Sequence, residues 1–176
     1  LDAIIREGSE EAANAPADGG GQQRTMDDQA IRDMVEGLRA RLEESPDDPA
    51  GWRRLGRSYL VLEDYAEAAE AYRRLTELKP ENAGAWMGLA QALVRAAGWQ
   101  GTGDMPPPAA DAVLKARDLG AEGAEALFLA GQARRQRGEI KAARQAWDEL
   151  LLSLDPASEF YGLVEERLKS LDGAGE

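Results

Sequence analysis

Five pairs of identical adjacent carboxylates could in principle do acid–base chemistry in this sequence: Glu10-Glu11, Asp27-Asp28, Glu43-Glu44, Asp47-Asp48 and Glu165-Glu166. Catalysis by two carboxylates needs both groups turned toward one substrate, with their pKa values driven apart. Neighbours on a helix point about 100° apart, and these pairs fall at helix ends, in the N-terminal leader or on solvent faces. There a carboxylate is solvated, or complements the positive end of a helix. Composition closes the other routes, because the chain has no histidine and no cysteine. It therefore has no thiol nucleophile, imidazole base, disulfide, ordinary zinc site or histidine–cysteine haem ligation. Residues 98–103 read GWQGTG, but no strand precedes them and no lysine follows, so they form a loop and not a phosphate cradle. The sequence predicts a protein that is not an enzyme and that uses no cofactor and no metal.

Recognition chemistry is better represented. Twelve residues occupy equivalent places in a recurring unit: Arg53, Arg57, Leu60 and Val61; Met87, Gln91, Val94 and Arg95; Phe128, Gln132, Arg135 and Gln136. Arginine offers a planar, multidentate donor, and methionine and phenylalanine offer adaptable apolar contacts. In a chain of formal charge −12, such a face suits an amphipathic helix or an extended segment carrying carboxylates. The same net charge argues against nucleic acid or an anionic membrane as the partner.

The elements that must position these side chains follow from a period. Trp52 and Trp86 are 34 residues apart, as are Pro46 and Pro80. A helix–turn–helix unit of about 34 residues is the length of a tetratricopeptide (TPR) repeat. With Pro49 as position 1, Trp52, Leu55, Gly56, Tyr59, Ala68, Tyr72 and Pro80 fall at positions 4, 7, 8, 11, 20, 24 and 32. The large residues fill the space between helices, the small ones allow close approach, and proline ends the second helix. A second unit begins at Ala83. A third begins at Ala124 with Leu127, Ala130, Gly131, Ala143, Trp147 and Leu150. The 41-residue separation of these starts places seven extra residues in 98–108 (GWQGTGDMPPP), predicted to be non-helical. In such a stack the first helix of each pair lines a concave groove, and the twelve residues above occupy its lining positions. The lysine and asparagines of chaperone-tail carboxylate clamps are replaced here by Arg53, Arg57 and Gly88, which disfavours that ligand class.

The expected architecture is an all-α TPR superhelix of about three repeats, with an N-terminal half-repeat helix and a C-terminal capping helix. Met34, Leu38 and Pro46 mark the half repeat, over residues 27–44. Phe160, Leu163, Val164, Leu168 and Leu171 recur at helical spacing and predict a cap over 158–171. Asp48-Pro49 reads as an N-cap with proline at the first helical position, and Asp64 with Glu67 as a capping box. Residues 1–26 read as a flexible leader, 27–171 as the repeat domain and 172–176 as a disordered tail. No apolar run is long enough to span a bilayer. A first residue other than methionine leads us to expect part of a longer or processed protein.

The half repeat MVEGLRARLEESPDDPAGW, the Gly/Pro insertion and the ending ALFLAGQARRQRGEIKAARQAWDELLLSLDPASE occur in that order. Residues 34–171 thereby resemble the periplasmic TPR domain of the cytochrome c-type biogenesis protein CcmI, also found as the C-terminal region of some CcmH proteins. The resemblance implies a periplasmic chaperone, membrane-anchored in its full-length form through N-terminal helices absent from this chain. Its client would be apocytochrome c, recognised chiefly through the C-terminal helix. The client would then be handed to the thioreduction and haem-ligation components of the system I maturation complex. The haem-attachment cysteines and histidine belong to the client. Two other readings remain open: a TPR scaffold for another cell-envelope complex, and a haem-handling protein using Tyr or Met ligands.

Overall fold

The computed structural model describes residues 21–172, with side-chain surroundings for residues 29–171. Among the described residues there are eight helices and no strand: α1 (Gly21–Glu44), α2 (Pro49–Val61), α3 (Tyr65–Leu78), α4 (Ala83–Ala96), α5 (Pro107–Asp118), α6 (Ala124–Gln136), α7 (Ile140–Leu151) and α8 (Glu159–Asp172). Helices α2/α3, α4/α5 and α6/α7 are the three pairs. Each helix packs chiefly on its chain neighbours, and α2 also reaches α4, the next first helix in the stack.

Local chemistry sets the helix starts. Asp48 holds extended backbone, and its Oδ1 accepts the Gly51 N–H at 2.9 Å. Pro49 follows at the first helical position, where a missing N–H costs nothing. The capping box expected at Asp64 does not form. Asp64 makes no side-chain cap bond, and its carboxylate instead meets Arg32 of α1 at 3.0 Å. A guanidinium across the helix interface outcompetes one local N–H for the same oxygens. Asp48→Ala is therefore expected to lower unfolding free energy by about 1 kcal/mol. Asp64→Ala removes no cap and should cost clearly less in the same urea titration.

The core repeats with the sequence. Trp52 Nε1 donates to the Pro46 carbonyl at 2.7 Å, and Trp86 Nε1 to the Pro80 carbonyl at 2.8 Å. In each of the first two units one tryptophan thus satisfies its indole on the chain that enters that unit. The Tyr72 ring is sandwiched between Gly56 of α2 and Gly88 of α4, and a Cβ at either glycine would collide with it. Trp147, wholly buried, lies against Gly131 in the same way and donates from Nε1 to the Phe128 carbonyl at 3.2 Å.

Two boundaries and one buried position differ from expectation. Helix α1 starts at Gly21, inside the segment read as leader, and its buried stripe is Val35, Leu38 and Leu42. Met34, expected in that stripe, is 69% exposed, because its turn carries Val35 inward instead. Helix α5 begins at Pro107, so Pro107 and Pro108 of the insertion are helical. Proline fits the first turn because the first N–H groups of a helix have no intrahelical partner. The cap α8 spans Glu159–Asp172, close to the expected range. The leader residues 1–20 and the tail residues 173–176 lie outside the described residues.

Candidate peptide-binding site

At the N-terminal end of the stack, α2 presents Arg53, Arg54, Arg57 and Val61 beside Ile31 of α1. With Ala50 and Ser58 they line a cleft of about 400 Å³. All three arginines are exposed, and among the described residues no carboxylate pairs with any of them. Other arginines of this acidic chain do find carboxylates, as Arg32 does with Asp64, Arg39 with Glu43, Arg74 with Glu77 and Arg117 with Glu149. Val61 is 83% exposed and Ile31 41%, so apolar surface lies at the same cleft. Burial raises the Tyr72 hydroxyl above the usual tyrosine range, and the positive fields of Arg57 and Arg53 oppose it. The two guanidiniums therefore project their charge over the packed seam between α2 and α4.

The middle of the predicted groove is partly occupied by the protein itself. Met87 and Leu60 are half-buried and pack against the core, and Gln91 is half-buried. Arg95 lies over the Tyr65 ring, 5.9 Å from its centroid. Near it, burial pushes the Glu125 carboxyl up from its ordinary 4.5, while the Arg95 charge pulls it down. A carboxyl raised in the folded state costs stability when ionised. That cost is fully present above the raised value and vanishes as pH falls below 4.5. Glu125→Gln should therefore be more stable than the parent at neutral pH, and the gain should disappear below 4.5 in paired denaturant titrations.

The remaining predicted groove residues do not offer free surface. Val94, Phe128 and Gln132 are each 1% exposed. Trp99 folds back over the end of α4, its main-chain N–H donating to the Val94 carbonyl at 3.0 Å. Phe128 packs against Phe160 of α8, ring centroids 5.4 Å apart. Gln132 Nε2 donates to the Gly101 carbonyl at 3.2 Å. Arg135 Nη2 donates to the Gly103 carbonyl and to Asp104 Oδ1, at 3.2 and 3.1 Å. Gln136 takes the Met105 N–H at 3.0 Å and donates to the Met105 carbonyl at 3.1 Å. The insertion that the sequence leaves as a loop and the cap α8 together cover the α6 face. Of the cleft's lining residues, Arg53, Arg57 and Val61 belong to the expected groove set, and Arg54 and Ile31 do not. Arg54 stands one position off the groove pattern, and Ile31 belongs to the half repeat, to which that pattern was not extended.

Three of the carboxylate pairs have described members engaged in local contacts, while the side chains of Asp27-Asp28 lie outside the described surroundings. Glu43 pairs with Arg39 at 3.2 Å, Glu165 with Lys169 at 3.6 Å, and Asp48 caps α2. Glu10-Glu11 lies outside the described residues. Among the described residues, no three acidic side chains form a cluster able to hold a metal ion. None of the described helices is long and apolar enough to cross a membrane.

Paired helices at a 34-residue period, with a cationic and apolar cleft on a first helix, define a tetratricopeptide-repeat solenoid. Known folds agree: a crystal structure of MamA matches with a TM-score of 0.59 at 20% identity, covering 91% of each chain. An Arabidopsis OM64 TPR domain matches with a TM-score of 0.53 at 20% identity, covering 69% of this chain and 94% of that one. These likenesses concern the fold alone. Residues 19–161 match the family model "Cytochrome c-type biogenesis protein H TPR domain", and the chain belongs to that family. The cytochrome c-type biogenesis protein CycH of Pseudomonas aeruginosa is 31% identical over 156 residues, covering 84% of this chain and 36% of the relative. CcmH of Escherichia coli is 33% identical over 70 residues, covering 40% of this chain and 20% of the relative. The chain thus spans about a third or less of the length of the curated relatives it matches. The family and the fold together identify a TPR domain of the cytochrome c-type biogenesis proteins.

Proposed function

We propose that this domain is an apocytochrome c chaperone that captures the client's C-terminal helix in the periplasm. It then passes the client to the haem-ligation and thioreduction components of the maturation complex. The observation that carries this reading is the cleft on α2. Three guanidiniums without carboxylate partners among the described residues stand beside exposed Val61 and Ile31, in a domain of a cytochrome c biogenesis family. An amphipathic helix with carboxylates on one flank satisfies both parts of such a cleft. An apocytochrome has not yet folded around haem, so its helices remain available to a chaperone. The cleft lies at one end of the stack, so a helix seated there leaves the rest of the client chain accessible to downstream components.

The test is a titration of a synthetic C-terminal helical segment of a c-type apocytochrome, followed by calorimetry, with the folded holocytochrome as control. Saturable binding of the segment, and weaker binding of the holoprotein, is expected. Absence of binding at millimolar segment would overturn the chaperone reading in favour of a scaffold for another envelope complex.

A further inference from the structure

We infer that the face of α6 and α8 is a second peptide-binding site, held closed in cis by the protein's own residues 98–106. The consequence for the client rests on the function proposed above: contact with it is confined to the α1/α2 end of the stack.

The observation is how the insertion is held. Gly101 is gripped twice at its carbonyl, by Gln132 Nε2 at 3.2 Å and by Arg167 Nη2 at 3.0 Å. The Gly103 carbonyl takes Arg135, and both main-chain groups of Met105 take the one carboxamide of Gln136. Every one of these bonds is to backbone, and paired donor and acceptor contacts from one amide side chain are a way to read any peptide main chain. Side-chain selectivity comes from the Asp104 carboxylate on Arg135 at 3.1 Å and from two buried anchors, Trp99 at 8% and Met105 at 2% exposure, although Met105 sits in a segment without regular structure. A surface loop ordinarily keeps its side chains in solvent. This one is seated as a ligand would be, by main-chain contacts, one ion pair and buried apolar anchors, of which the linear Met105 stands directly ahead of a proline. The gripping residues Gln132, Arg135 and Gln136 come from the α6 positions that line the groove in a repeat of this length. The ligand class is accordingly a short peptide with methionine or a similar unbranched apolar residue before proline.

A covalently tethered segment competes at an effective concentration on the order of millimolar, so micromolar peptide cannot displace it from the parent protein. The test uses a fluorescein-labelled peptide of the sequence GWQGTGDMPP, titrated against a variant in which the resident loop has lost its anchors, Trp99→Gly with Met105→Ser. Fluorescence anisotropy should show saturable binding to that variant and none to the parent at about 50 µM, well below the tether's effective concentration. Adding Gln136→Ala to the loosened variant should weaken the peptide about tenfold, since both main-chain contacts at the anchor go together. A loosened variant that keeps its helical circular dichroism yet fails to bind the peptide overturns the inference, and so does equal binding by the parent. If the double variant does not fold, Met105→Ala alone replaces it under the same criteria. No arm contains the client segment, so this inference and the chaperone reading fail independently.

Discussion

Trp147→Ala is expected to remove about 4 kcal/mol of unfolding free energy, near the upper end for a buried aromatic. Trp147 has no exposed surface, fills the space between α6 and α7, and satisfies its indole N–H on the Phe128 carbonyl. For a domain of this size the melting temperature should fall by roughly 8–16 °C. Its partner across the interface gives the sharper result. Gly131→Ala places a methyl into the Trp147 ring and should destabilise the parent by roughly 2 kcal/mol, even though alanine favours a helix over glycine by about 1 kcal/mol. In the Trp147→Ala background the obstruction is gone, and the same substitution should become stabilising. The change of sign is the interaction energy of the pair, read from a double-mutant cycle in urea. If Gly131→Ala destabilises both backgrounds equally, close approach to the indole is not the reason for that glycine.

Reversing two charges in the α2 cleft, Arg53→Glu with Arg57→Glu, should weaken an acidic amphipathic helix by roughly thirtyfold to a hundredfold at low salt. Each reversal removes an attraction and installs a repulsion where no carboxylate among the described residues neutralises the arginine. The loss should shrink as salt approaches about 1 M, where the Debye length falls to about 3 Å. Arg135→Glu makes a useful contrast. Its guanidinium already serves the Gly103 carbonyl and Asp104, so its reversal should disturb the insertion more than it disturbs client binding. A client affinity unchanged within twofold by the Arg53/Arg57 pair would place the client elsewhere on the solenoid.

The repeat was legible because its residues answer to local rules. Trp52, Gly56, Tyr59, Ala68 and Tyr72 do the same packing work wherever a helix pair of this length stacks, so their spacing alone identifies the pairs. Of the expected groove positions, Arg53, Arg57 and Val61 on α2 border the cleft. Position in the repeat says which way a side chain leaves its helix, but not what waits for it there. Phe128, Gln132 and Gln136 point as the pattern requires and meet residues 98–106 and α8 instead of solvent. Those are contacts across 31 residues and more in sequence, and no periodicity encodes them. The Asp64 capping box failed for a related reason, since its competitor, Arg32, lies on a different helix. Met34 against Val35 is a one-residue error of helical phase in a half repeat, where a single helix gives the pattern fewer positions to match.

The bond from Arg167 to Gly101 joins the last helix to the insertion across 66 residues. A simple solenoid couples only adjacent units, so its ends open first and its stability is nearly a sum along one dimension. Here α4 to α8 are bound into a closed loop by one side chain, and that block is expected to lose its amide protection together. Helices α1 to α3 lie outside the loop and join it chiefly through the packing of α3 and α2 on α4. In native-state hydrogen exchange this end should open at lower free energy than the block it rests on. The arginine cleft is thus carried by the part of the molecule that can loosen and close again around a guest while the rest stays folded.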